Sequence, residues 1–113
     1  MLFCCMNNTK WNKIRLAMLS MTSPPLWKTT SLNGYESIVD GEWFYHFSEG
    51  GYSDIRYLDV LTNSFEQHVE VGAILRAIHL PGIETSNGYR ILGYADSATM
   101  CFIFNWTELL SGQ

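Results

Sequence analysis

Residues 26–60, LWKTTSLNGYESIVDGEWFYHFSEGGYSDIRYLDV, are the stretch of sequence that decides the fold. Asn33-Gly34 and Asp40-Gly41 separate apolar runs, and such pairs supply the positive φ values that tight hairpin turns need. The stretch therefore predicts a four-stranded antiparallel meander with strands at 26–32, 35–39, 42–47 and 55–60. The run 42–47 has apolar side chains on both faces, so we expect a central strand there.

Helices are predicted on both sides of this meander. A first helix, capped by Asn8 or Thr9, runs to about residue 21 and has one apolar face, made of Trp11, Ile14, Met18 and Met21. Ser64-Phe65-Glu66-Gln67 is a capping box that opens a second helix, which ends before Pro81-Gly82. The apolar face of this second helix consists of Val71, Ile74, Leu75 and Ile78.

The remaining apolar runs, 89–94 and 100–106, predict two further strands. The fold class is therefore α+β: an N-terminal helix, a four-stranded antiparallel meander, a second helix and two further strands. Runs of strands bracketed by helices imply that the helices pack on one face of the sheet. We expect one domain over residues 9–107, preceded by a disordered extension at 1–8 and followed by a frayed tail at 108–113.

Composition restricts the classes of partner. The 113 residues are 47% hydrophobic and carry a formal net charge of −4. An acidic chain lacks the counterion-release term that drives non-specific nucleic-acid binding, and it favours basic partners. Nucleic acid is thus an unlikely partner, whereas a basic protein is a suitable one. No apolar run approaches the ~20 residues of a membrane span, so we expect no membrane interaction.

The three cysteines give no sign of a metal site or a redox motif. Cys4 and Cys5 are adjacent, and Cys101 lies in an apolar run where a thiol behaves as a small hydrophobe. Disulfide scaffolds use even and denser sets of cysteines. The sequence therefore predicts reduced thiols and a cytoplasmic location. It also predicts no metal, because no histidine or cysteine cluster has ligand spacing, and no cofactor, because phosphate-loop and dinucleotide fingerprints are missing.

Histidine is the main candidate for catalysis. His68 and His79 lie on the flank of the second helix and are interpreted as structural residues. His46 lies on the predicted aromatic strand 42–47 and precedes an acid-bearing loop, so it could act with Asp54 or Asp59. The alternative function is thus a small hydrolase or ligand-binding domain that uses His46 and a nearby carboxylate.

Carboxylates are concentrated in the meander and lie beside tyrosine and tryptophan. A solvated surface explains most such acids, but rings beside acids are also typical anchors of protein interfaces. The loop 48–54 is the longest glycine-containing connection of the predicted meander. We therefore predict a partner-binding face made of Trp43, Glu49, Tyr52 and Asp54.

Four segments carry a resemblance: Trp43-Phe-Tyr-His46, Ile55-Arg-Tyr-Leu-Asp59, Leu80-Pro-Gly82 and Gly93-Tyr94. Together they resemble a small bacterial family of unknown function. In shape and composition, the chain is similar to immunity proteins, which neutralise bacterial toxins. The resemblance rests on no diagnostic motif and implies no functional residue.

The sequence thus favours a non-enzymatic protein-binding module, in the form of an immunity- or antitoxin-like inhibitor of a basic protein. In that mechanism, carboxylates steer the cationic partner and aromatic rings fill its pockets. A further alternative is a homo-oligomer formed through the N-terminal helix. Leu16 and Leu19 lie outside the apolar face of that helix and would form the contact.

Overall fold

A computed structural model describes residues 1–102 and 104–105 of the chain. In this part of the chain, helices α1 and α2 span Asn8–Leu19 and Phe65–Ile78, and a 3-10 helix spans Ala98–Phe102. The strands are β1 (Phe3–Cys4), β2 (Leu26–Ser31), β3 (Ile55–Leu61), β4 (Gly82–Thr85), β5 (Gly88–Leu92), β6 (Tyr94–Ala95) and β7 (Phe104–Asn105). The predicted frayed tail at 108–113 lies outside the described residues.

The main sheet has the strand order β2-β3-β5-β4-β7. Its first four strands pair antiparallel, and β7 adds to β4 in parallel. Strands β1 and β6 form a separate antiparallel pair. The predicted α+β class, with two helices and a four-stranded antiparallel sheet followed by further strands, is therefore confirmed.

The two helices pack with one face of the sheet to form the core. Leu58, Val60 and Ile91 are fully buried there. They pack in one cluster with the buried face of α1 and with Val71 and Leu75 of α2. The predicted apolar face of α1 is confirmed for Trp11, Ile14 and Met18, which are buried, whereas Met21 is buried beyond the end of the helix at Leu19.

The opposite face of the sheet carries charged and aromatic side chains, because successive residues of a strand point to opposite faces. Arg90 binds Asp59 through two hydrogen bonds of 2.8 and 3.1 Å. The Arg90 guanidinium also lies 3.9 Å from the centre of the Tyr57 ring. Asp59 and Arg90 are register partners on β3 and β5, so this ion pair links two central strands.

Both helix starts follow capping rules. Asn7 caps α1 by accepting a 2.8 Å hydrogen bond from the Lys10 amide, one residue before the earlier of the two predicted caps. Ser64 accepts a 3.1 Å bond from the Gln67 amide, which confirms the predicted cap of α2. The Gln67 side chain in turn accepts from the Asn63 amide at 2.9 Å. These caps satisfy amides that no helical carbonyl can reach.

Two strands predicted in the meander are wrong. Residues 35–40 lie beside β2 but make isolated bridges with it, at Glu36 and Asp40, and no strand. Residues 43–50 form consecutive turns. The reason is Glu42, whose carboxylate accepts hydrogen bonds from the next amides along the chain. Those amides would otherwise pair with a neighbouring strand. Strands β4 and β5 complete the antiparallel sheet instead.

The two ends of the described chain also differ from expectation. Residues 1–8 were predicted to be a disordered extension, but β1 pairs with β6 and Met6 is buried. A disulfide joins Cys5 to Cys101, 96 residues apart, so the prediction of reduced thiols is wrong for this pair. Cys4 is a free, exposed thiol. Of the strand predicted at 100–106, residues 100–102 belong to the 3-10 helix and 104–105 form β7.

Candidate functional site

The connection between β2 and β3, residues 32–54, is 23 residues long. Most connections in compact domains are several times shorter, and long ones are usually functional. Aromatic side chains hold this connection against the core, since Trp43, Phe47 and Tyr52 are 1%, 3% and 8% exposed. The Phe47 ring lies 4.9 Å from that of Trp43 and 5.6 Å from that of Tyr52.

Polar groups fix the same anchoring rings. The Trp43 indole donates a 2.9 Å hydrogen bond to the Pro25 carbonyl. The Tyr52 hydroxyl donates to the Asn12 side chain at 2.8 Å, and its ring stacks on Trp11. Two residues of the predicted partner-binding face, Trp43 and Tyr52, are thus core residues that cannot present their rings to a partner. Sequence could not show this, because burial depends on residues that are distant in the chain.

Other large apolar side chains of the connection point to solvent. Ile38 is 80% exposed, and the rings of Tyr35, Phe44 and Tyr45 are each more than 60% exposed. Val39 is about half exposed. We call these residues the outer loop surface: Tyr35, Ile38, Val39, Phe44 and Tyr45. Arg15 of α1 supports it by donating a 3.0 Å hydrogen bond to the Phe44 carbonyl, with its guanidinium 5.4 Å from the Phe44 ring centre.

The same connection is rich in carboxylates. The connection contains no lysine or arginine, so its formal charge is −5 from Glu36, Asp40, Glu42, Glu49 and Asp54. Glu49 and Asp54, both predicted partner-binding residues, are exposed. Glu36 pairs with Lys28 of β2 at 2.9 Å. This hydrogen bond and ion pair lower the pKa of Glu36 and raise that of Lys28.

Glu42 organises the turn that presents Phe44 and Tyr45. Its Oε1 accepts from the amides of His46 at 2.6 Å and Tyr45 at 2.8 Å, and its Oε2 accepts from Phe44 at 3.2 Å. These hydrogen bonds, above all the one from His46, lower the pKa of the Glu42 carboxyl. The carboxylate therefore acts like a helix cap for a segment that forms no helix.

His46 does not contact the carboxylates predicted to act with it. Its Nδ1 lies 3.0 Å from Asp40 Oδ2, and its side chain is half exposed. Asp59 is held by Arg90, whereas the Asp54 side chain is exposed. The Glu42 amide and, to a smaller extent, His46 lower the pKa of Asp40. The proposed set of His46, Asp54 and Asp59 is thus not assembled among the described contacts.

A different histidine has two side-chain partners. His68 Nδ1 lies 2.8 Å from Thr62 Oγ1, and His68 Nε2 lies 2.5 Å from Glu84 Oε2. From the sequence, His68 was interpreted as a structural residue. No local signal identifies this group, because Thr62 follows β3, His68 lies on α2 and Glu84 lies on β4.

Residues 1–102 and 104–105 contain neither a metal-binding cluster nor a helix suited to span a membrane. No set of three or more histidine, cysteine, aspartate or glutamate side chains is arranged to hold a metal ion. Neither helix in these residues has the length and apolar character that crossing a membrane requires.

These features define a small α+β domain with a long, internally anchored acidic loop that exposes apolar side chains. The chain belongs to a family of unknown function, DUF6678, whose model matches residues 1–98. The predicted resemblance to an uncharacterised family is thereby confirmed. No curated protein and no solved structure matches the chain.

Proposed function

We propose that this protein is a protein-binding module whose outer loop surface binds a basic protein partner. The proposal rests on the connection 32–54, which has one set of buried rings and one set of exposed apolar side chains. Its inner rings are fixed in the core, while the five residues of the outer loop surface are exposed and belong to a connection whose formal charge is −5. The proposed function is non-covalent protein binding, without a chemical reaction at this surface.

The exposed apolar side chains supply the anchors for a partner. Phe44 and Tyr45 are adjacent rings on a turn that Glu42 and Arg15 hold in place. Rings that are already ordered lose little conformational entropy on binding, and aromatic side chains are enriched among the residues that dominate binding energy. Monomeric proteins rarely leave clustered apolar side chains exposed without such a use.

The carboxylates give the surface its preference for a cationic partner. Glu49 and Asp54 are exposed, and their charge reinforces that of the other three acids in the connection. Complementary charge raises the association rate and suppresses wrong partners more than it raises affinity. Binding should therefore weaken with salt through slower association, while the apolar anchors set the dissociation rate.

We further propose that the partner is a bacterial toxin and that the protein inhibits it as an immunity- or antitoxin-like protein. A basic enzyme that acts on nucleic acid or anionic lipid has a cationic substrate-binding surface. An acidic surface with protruding rings is suited to cover that surface and exclude the substrate. The support is charge complementarity together with the exposed rings.

The test is chemical cross-linking in the native host followed by mass spectrometry. We expect a basic protein to cross-link to residues of the connection 32–54. The double variant Phe44→Ser/Tyr45→Ser should reduce its recovery at least tenfold, because it removes two anchors and leaves the buried rings in place. The charge-reversed variant Glu49→Lys/Asp54→Lys should slow association measured with the purified partner.

The matched control uses an exposed ring elsewhere. Phe65 on α2 is 78% exposed, so Phe65→Ser removes a comparable ring outside the connection. It should leave partner recovery unchanged. An acidic partner, cross-links confined to other surfaces, or equal losses in the loop and control variants would contradict the proposal.

Three earlier predictions stay predictions. Homo-oligomerisation through α1 would depend on Leu16, which is 55% exposed, because Leu19 packs against the core. A hydrolase centred on His46 would have to use Asp40 as its carboxylate. A cytoplasmic location must be reconciled with the Cys5–Cys101 bond, since disulfides persist mainly in oxidising compartments.

A further inference from the structure

Thr62, His68 and Glu84 form a continuous hydrogen-bonded row of side chains. The Thr62 hydroxyl and the Glu84 carboxylate contact opposite nitrogens of one imidazole, at 2.8 and 2.5 Å. His68 and Glu84 are each about one-fifth exposed, so the pair is partly shielded from water. A hydroxyl, a base and a carboxylate that orients the base are the three roles needed to activate an oxygen nucleophile.

The protons in this row can be assigned from the number of donors. In the neutral imidazole, one nitrogen carries the proton and the other accepts. Glu84 can only accept when it is ionised, so the His68 proton lies on Nε2 and Nδ1 accepts from the Thr62 hydroxyl. This hydroxyl has a second acceptor, the Asn87 carbonyl at 3.3 Å. When Nδ1 takes up a proton, it can donate to Thr62 Oγ1 while the Thr62 hydroxyl donates to the Asn87 carbonyl. The hydrogen bonds along the row are therefore kept.

The imidazole is held in this orientation from its face as well as its edges. The Tyr89 ring stacks on His68 with centres 4.5 Å apart. The Tyr89 hydroxyl donates a 3.0 Å hydrogen bond to the His68 carbonyl. Tyr89 is itself buried in the core, so its position is fixed. A catalytic base requires this kind of preorganisation.

An open cavity of about 390 Å³ gives access to the hydroxyl and the imidazole. Its wall is lined by Thr62, Asn63, Ser64, Phe65, His68, Ser86 and Asn87. The cavity lies at the N-terminal end of α2, where the first amides of a helix have no carbonyl partner within it. The dipole of α2 favours negative charge that develops on an oxygen near this end of the helix.

We propose that this cavity is an acyl-transfer site that hydrolyses small carboxylic esters. Thr62 Oγ1 attacks the ester carbonyl and passes its proton to His68 Nδ1. The carbonyl–alkoxy bond breaks, and the alcohol leaves with that proton, so that an acyl-Thr62 ester remains. Water then gives a proton to Nδ1 and attacks the acyl carbonyl. The bond from that carbonyl to Thr62 Oγ1 breaks, Oγ1 takes the proton back from Nδ1, and the carboxylic acid leaves. Glu84 is a positioning residue, because it acts through His68.

The lining of the cavity indicates the class of ester. Phe65 supplies an exposed ring against which a short alkyl or aryl group can pack. Asn63, Ser64, Ser86 and Asn87 supply polar groups for the ester oxygens. A small, neutral ester with one apolar arm therefore suits the cavity. This inference goes beyond the proposed function, and its site shares no residue with the outer loop surface.

The test uses an alkyl fluorophosphonate, which phosphonylates activated hydroxyl groups, and para-nitrophenyl butyrate as the ester. Intact-mass and peptide mass spectrometry should place one adduct on Thr62 of the full chain. Thr62→Ser should keep the adduct, whereas Thr62→Val should lose it. His68→Gln should slow both labelling and ester hydrolysis by at least about 100-fold, which is the lower range for general-base catalysis.

Two controls separate chemistry from folding. Thr29→Val changes a threonine of β2 that does not line the cavity, so this variant should be labelled normally. Glu84→Gln should lower kcat at least about tenfold with KM nearly unchanged, because it disturbs the imidazole tautomer and not ester binding. Circular dichroism of each variant verifies the fold. Absence of an adduct on Thr62, or undiminished hydrolysis by Thr62→Val, would overturn the inference.

Discussion

The hydroxyl of Tyr89 occupies the space beside Gly72 where any other residue would place its Cβ atom. Gly72 is buried in the middle of α2, and Tyr89 lies on β5. A helix normally disfavours glycine, at a cost of about 1 kcal/mol relative to alanine. Here the missing side chain allows α2 to approach the sheet, and it places the Tyr89 hydroxyl within reach of the His68 carbonyl.

The first prediction concerns this pair. Gly72→Ala should destabilise the protein by about 1–3 kcal/mol, because the added methyl group overlaps the Tyr89 hydroxyl and overpacks the interface. Urea denaturation measures the change. The double variant Gly72→Ala/Tyr89→Phe removes the overlapping hydroxyl and should recover part of the loss. Strictly additive effects of the two substitutions would show that the two residues do not compete for space.

The second prediction concerns alkaline pH. Burial, and to a smaller extent the charge of Glu84, raise the pKa of Tyr89 from 10.0 to about 12. The folded state therefore keeps the proton on Tyr89 at pH values where the unfolded chain has lost it. The resulting stability is complete below pH 10 and is lost as the pH rises towards 12. A shift of this size corresponds to roughly 2–3 kcal/mol.

Comparison with Tyr89→Phe isolates this contribution. Phenylalanine does not titrate, so the difference in unfolding free energy between the two proteins should change with pH above 10. Other groups affect both proteins equally and cancel in the difference. A difference that stays constant from neutral to strongly alkaline pH would refute the prediction.

The third prediction concerns Glu42. Hydrogen bonds from backbone amides lower the pKa of the Glu42 carboxyl below the ordinary 4.5. These bonds therefore stabilise the turn fully above pH 4.5, and this stability is lost as the pH falls through the lower pKa of the folded state. A carbon-13 NMR titration of the carboxyl group should give a midpoint below 4.5. Glu42→Ala should speed hydrogen exchange of the Tyr45 and His46 amides at neutral pH.

Glu49→Ala is the matched control for Glu42→Ala. Glu49 lies in the same connection, but its carboxylate is exposed and is not a partner of these amides among the described hydrogen bonds. Equal acceleration of exchange in both variants would mean that general charge, and not the specific contacts of Glu42, orders the turn.

The fourth prediction concerns the Cys5–Cys101 bond. Replacing both cysteines by serine should cost about 2–5 kcal/mol, because the bond closes a loop of nearly the whole chain. Thermal unfolding with and without reductant measures this loss. Cys4→Ser should have little effect, since Cys4 is exposed and unbridged. Thiol titration of the unreduced, unfolded protein should find one free thiol, and three would contradict the assignment.

Local signals were sufficient to predict the helices. The capping box at Ser64 and the apolar faces of α1 and α2 depend on neighbours within one or two turns, so the sequence contains the relevant contacts. The strands β2 and β3 were predicted to within one residue at each end, because apolar runs bounded by turn residues are also a local signal. The turn after β2 also forms where Asn33-Gly34 predicted it, with Gly34 at a φ of 91°.

One failure has a local cause, the Glu42 carboxylate, and the others involve contacts between distant residues. Glu42–Phe47 has the composition of a strand, but a side chain caps its amides before they can pair. Trp43 and Tyr52 were predicted at the surface because sequence cannot show that Pro25 and Asn12 accept their hydrogen bonds. The disulfide joins the two ends of the described chain, and the Thr62–His68–Glu84 row joins three elements. The carboxylates Glu49 and Asp54 are exposed, but their role in binding stays a prediction.

The connection 32–54 contains two sets of side chains with different roles. Trp43 and Phe47 determine whether the loop keeps its shape, whereas Ile38, Phe44 and Tyr45 determine what the loop can recognise. The recognition residues can therefore be exchanged for a different set while the framework is conserved. A combinatorial library at these three positions would convert the domain into a scaffold for new binding specificities.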